Sequence, residues 1–134
     1  MTGIHTSEVA TLLAGCSDIL RTELERVRED WVPDNPPPTV ALGALGTTLI
    51  SLQSTVTDDE LSRIASTVER VLIEGSESAK NAVTTGFLEA VLSAAGNKTT
   101  APRFLGKLGQ HARKYCKDWD QFCCVRTPGL WDDE

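Results

Sequence analysis

Four side chains near the end of the chain are of types that do chemistry: His111, Cys116, Cys123 and Cys124. Imidazole and thiolate together ligate zinc, and a thiolate beside an imidazole is an activated nucleophile. Their spacing argues against both roles. Structural zinc sites draw on close pairs such as C-x2-C, whereas this chain offers H-x4-C and then C-x6-C-C. Adjacent residues on a helix point ~100° apart, so Cys123 and Cys124 do not converge on one ion. No Gly-rich oxyanion loop follows a cysteine, so neither His5 nor His111 is set beside an activated thiol. The "GALGTT" stretch around Gly43 lacks the spacing of a dinucleotide or phosphate loop. The expectation is no catalytic residue, no metal and no cofactor, with the cysteines packed as thiols at a helix end.

The carboxylates say more. Net charge is −6, but residues 1–97 carry −8, residues 98–117 carry +6 and residues 118–134 carry −4. Opposite the apolar stripe of the first predicted helix lie Asp18, Glu25 and Glu29, continued by Asp30 and Asp34. This is an acidic ridge, and Asp58, Asp59 and Glu60 form a second acidic patch. Arg103, Lys107, Lys114 and Lys117 form a basic ridge on the last predicted helix. A solvated face is the simplest reading of either ridge. The functional reading is that the acidic ridge docks a basic partner, since complementary charge speeds encounter and selects among partners. Nucleic acid is not expected: the basic ridge has no interleaved exposed aromatics, and the chain as a whole is acidic.

Five helices are expected to position these residues. Val9, Leu12, Leu13, Cys16, Leu20, Leu24, Val27 and Trp31 recur at the helical spacing over about 7–31, which ends at "WVPDNPPP". A shorter helix over 40–54 turns Leu42, Leu45, Leu49 and Leu52 inward. "TDDE" has the capping-box form, with Thr57 as N-cap and Glu60 three residues on, and opens a helix over 58–74 that Gly75 stops. The segment 77–95 is apolar nearly all round in "FLEAVLSAA", so it should be the central helix. A last helix over 101–123, capped by Thr100, carries Phe104, Leu108, Ala112, Tyr115, Trp119 and Phe122 on one side. Pro128-Gly129 then suits the centre of a type II turn that folds Leu130 and Trp131 back. The fold class is all-α: one domain over 1–134, a compact bundle of about five helices with a turn-rich C-terminal tail.

A chain of 134 residues can bury a core without disulfides or metals. No apolar run approaches the ~18 residues of a membrane helix, and the start lacks the basic and apolar regions of a secretory signal. The expected location is the cytoplasm, with no membrane partner and four reduced cysteines.

The segment "VERVLIEGSESAKNAVTTGFLEAVLSAAG", with "LGQHARKYCKDWDQF" and "VRTPGL", resembles a family of small bacterial helical proteins without assigned activity, over about residues 68–130. Such families often stand alone or beside secreted polymorphic toxins as immunity proteins. The resemblance implies no catalytic residues. It casts Trp119, Phe122 and the "TPGL" turn as shared fold-closing elements. Taken with the charges, it points to an immunity protein that covers a basic toxin such as a nuclease through its acidic ridge. Two rivals remain: a helical adaptor or regulatory subunit working through an apolar surface, and a small thiol- or metal-dependent enzyme built on Cys116, Cys123 and Cys124.

Overall fold

The structure, a computed structural model, describes residues 3–96, 103–127 and 129–131. Among the described residues seven α-helical segments follow one another: α1 (Thr6–Ala14), α2 (Asp18–Trp31), α3 (Pro38–Ser51), α4 (Asp58–Glu74), α5 (Glu77–Asn81), α6 (Glu89–Ala95) and α7 (Gln110–Cys123). Among the described residues there is no β-strand. A single bridge pairs Ile4 with Gly75, tying the start of the chain to the end of α4.

The long first helix of the sequence reading is two helices. Its apolar spacing runs unbroken through Cys16, but Ser17 adopts an extended conformation and its hydroxyl accepts a hydrogen bond from the Ile19 amide at 3.2 Å. That capping bond starts α2 afresh, and Asp18 in its first turn complements the helix dipole. Leu20, Leu24 and Val27 bury one stripe of α2, each contributing about 1.5–3 kcal/mol of burial. Trp31, expected to continue this stripe, is 39% exposed. The helix ends at that residue, where the proline-rich connection begins.

The second helix expected from the sequence is α3, which has Pro38 in its first turn, where a missing amide costs nothing. It ends at Ser51, and Gln53–Thr55 continue as a 3-10 turn that leaves Leu52 exposed rather than inward. In α4 the capping box forms as the sequence spells it: Thr57 accepts from the Glu60 amide at 3.1 Å, and Glu60 accepts from the Thr57 amide at 2.9 Å. Gly75 stops α4 in an extended rather than left-handed conformation.

Residues 77–95 are helical throughout, but Ala82–Leu88 between α5 and α6 is wound as a π-helix. This wide section packs most closely of all on α3. Gly46 is the reason the two can approach: a Cβ there would lie 2.7 Å from the Phe87 carbonyl oxygen. Gly86 answers from the other side, where a Cβ would meet the Leu42 Cβ at 3.0 Å. Phe87, Leu88, Val91 and Leu92 are all buried, as expected of a central helix.

The last predicted helix is also divided. Arg103–Lys107 form a 3-10 turn, and α7 starts only at Gln110, after Gly109. Thr100, its expected cap, lies outside the described residues. Phe122, expected on the buried stripe, is 88% exposed, so it closes nothing. The tail is held instead by Asp120, which is fully buried. Its carboxylate accepts the Thr127 amide at 2.7 Å, the Thr127 hydroxyl at 2.7 Å and the Trp131 indole N–H at 2.9 Å. Gly129 has φ of 85°, which favours glycine, and Leu130 is buried.

Candidate functional site

The candidate site is the solvent face of α2. Burial of Leu20, Leu24 and Val27 turns Asp18, Thr22, Glu25 and Glu29 outward, where all four are exposed. A turn then carries the ridge on, with the Asp34 amide donating to the Trp31 carbonyl at 2.7 Å. Not every acid on this face is available. Asp18 is paired with Arg21, and Asp30 with Arg26 at 2.8 Å. Glu25, Glu29 and Asp34 form no ion pair with any described residue. Trp31 and Val32 at the end of α2 are exposed as well, but Trp31 lies on the side of the Leu20, Leu24 and Val27 stripe, not on that of Glu25 and Glu29. Its spacing predicts Trp31 in the core, and the structure leaves it partly exposed at the end of α2. The signal was present in the four prolines that follow it.

The second acidic patch is largely absorbed by the fold. Asp58 pairs with Arg103 and lies 4.0 Å from Lys107, while Glu60 is spent on the capping box. Arg103 also donates to the carbonyls of Gln53 and Val56, each at 2.7 Å. Only Asp59 of this patch is exposed without an ion pair. The structure thus ties Asp58, but neither Asp59 nor Glu60, to the turn at Arg103. The expected basic ridge is split by the same fact: Arg103 and Lys107 face Asp58, while Lys114 pairs with Asp118 at 3.0 Å on α7.

The residues first suspected of chemistry do not assemble. Among the described residues no three His, Cys, Asp or Glu side chains are placed to hold a metal ion. Cys116 is buried, and burial, with the nearby Asp120 carboxylate, pushes its thiol up to about 12. Cys123 and Cys124 are exposed at the end of α7. His111 lies 2.5 Å from Glu69 by its Nδ1, in a bond that serves the start of α7.

A helical bundle whose exposed features are charged and aromatic surfaces is the class of protein defined here. The chain belongs to the family described as Domain of unknown function (DUF7674), which it matches over residues 10–124. The match runs from within α1 to the residue after α7, well beyond the half of the chain that carried the resemblance. No curated protein and no solved structure matches the chain. No helix among the described residues is long and apolar enough to cross a membrane.

Proposed function

We propose that this chain is a binding protein that docks a basic protein partner on the solvent face of α2 and performs no reaction itself. One observation carries the reading. Glu25 and Glu29 stand one helical turn apart on the solvent face of α2, exposed and without a counter-ion among the described residues. Like charges at this spacing cost a helix about 0.2–0.5 kcal/mol, a cost that a partner's lysine or arginine reverses. Complementary charge steers a basic partner to such a face and selects it among others.

In its finer form the proposal makes the partner a toxin, a basic nuclease, which the chain neutralises in the cytoplasm by covering it. The resemblance over residues 68–130 and the acidity of the face support this form. Its test is survival of cells expressing the product of the adjacent upstream gene, with and without this chain. Rescue with co-purification supports it. Killing despite the chain, or a harmless neighbour, overturns the toxin form. A partner captured with salt-insensitive binding would overturn the acidic-face reading itself.

A further inference from the structure

A second surface lies on α7. Steps of four and three residues put Tyr115, Trp119 and Phe122 on one flank of that helix. The only tyrosine of the chain is thus joined by one of three tryptophans and one of three phenylalanines. The other two phenylalanines, Phe87 and Phe104, are fully buried against each other. Tyr115, Trp119 and Phe122, with Cys123, line an open cleft of about 400 Å³ whose remaining walls are Glu89 and Asp118.

The charged groups of this cleft are carboxylates. The Tyr115 hydroxyl donates to Glu89 at 2.5 Å, which fixes the phenol ring at the wall of the cleft. Burial and this bond push the Tyr115 hydroxyl up to about 12, so it stays protonated and remains the donor. No cation pairs with Glu89 among the described residues. Asp118 meets Lys114 at 3.0 Å in an exposed pair, which is worth little and readily exchanged.

We propose that this cleft binds a small quaternary ammonium ion, its methyl groups against the three rings and its charge facing Glu89 and Asp118. Aromatic faces attract cations through their quadrupole, and alkylated ammonium ions sit there at low desolvation cost. An anion would be repelled by both carboxylates, and a neutral apolar ligand would leave them poorly solvated. A bare ammonium is strongly hydrated and gains less from the rings. The proposal does not rest on the α2 reading.

The test is titration of the full chain with choline, followed by NMR of the Tyr115, Trp119 and Phe122 rings. Its neutral carbon isostere, 3,3-dimethylbutan-1-ol, is the control for charge. Saturable shifts confined to these rings are expected with choline and not with the alcohol. Phe122→Ala, at a site too exposed to affect folding, should weaken binding roughly 5- to 30-fold. Glu89→Gln should weaken it while preserving a hydrogen-bond partner for Tyr115. Absence of saturable shifts, equal binding of the alcohol, or unchanged affinity in Phe122→Ala would each overturn the proposal.

Discussion

The carboxylate of Glu69 on α4 caps the start of α7 across the space that Gly109 leaves empty. Its oxygens accept the His111 amide at 2.8 Å and the Ala112 amide at 3.0 Å, and Oε2 also meets His111 Nδ1. Gly109 stands at the N-cap position yet has no side chain to cap with. A Cβ at Gly109 would lie 2.7 Å from that carboxyl group. The cap is therefore tertiary, and it fastens α7 to α4.

Glu69→Ala and Gly109→Ala should each cost about 1 kcal/mol, the usual worth of an N-cap. Both remove the same interaction, so the double variant should cost clearly less than the sum. Denaturant midpoints of the four proteins measure this. Additive losses would show that the two residues act separately.

Acid should loosen the same joint. Burial of Glu69 raises its pKa, but the amide bonds from His111 and Ala112 and the His111 side chain outweigh it, leaving the group below its ordinary value. A depressed carboxyl pKa contributes stability that is present above the unfolded value and lost as pH falls through the folded one. Thermal unfolding from pH 7 down to pH 3 should show this loss in the native chain and a shallower acid limb in Glu69→Gln. Parallel limbs would remove Glu69 as a source of acid sensitivity.

Gly46→Ala should destabilise the bundle by about 1–3 kcal/mol, because the added methyl meets the Phe87 carbonyl and the π section cannot move without repacking. Gly43→Ala is the control. Its Cβ would find the Gly86 carbonyl oxygen at 3.8 Å, an ordinary contact. Chemical denaturation separates them, and equal effects would contradict the close crossing of α3.

Alkylation of the folded protein should modify Cys123 and Cys124 and spare Cys16 and Cys116. Thiolate is the reactive form, and Cys116 is both buried and held almost wholly as thiol. Mass mapping after brief iodoacetamide treatment reads the sites directly. Early labelling of Cys116 would contradict its burial.

What was legible in the sequence follows from range. The capping box at Thr57–Glu60, the stripe of α4 and the all-round apolarity of 87–92 are local patterns, and they appear in the structure as written. The break at Ser17 was hidden because the apolar spacing continues through it, and a serine looks alike inside a helix and at its start. The split before α7 was harder still, since its cap comes from Glu69, forty residues earlier in the chain. Phe122 matched the helical period of a buried stripe, but periodicity does not show where neighbouring elements end. The acidic ridge was legible by type. Which of its members are free was not, because pairing with Arg21, Arg26 and Arg103 depends on rotamers and on contacts distant in sequence.

The central claim is that Glu25 and Glu29 hold the partner. Its most direct test is the affinity of the partner captured in the survival experiment for the native chain and for Glu25→Lys/Glu29→Lys, across a range of salt. Neither residue pairs with any described cation, so unfolding should be unchanged or slightly harder in the double variant. Binding that weakens with salt in the native chain, and is lost in the variant, is the predicted result. Native affinity in the variant would contradict the claim and take α2 out of the interface.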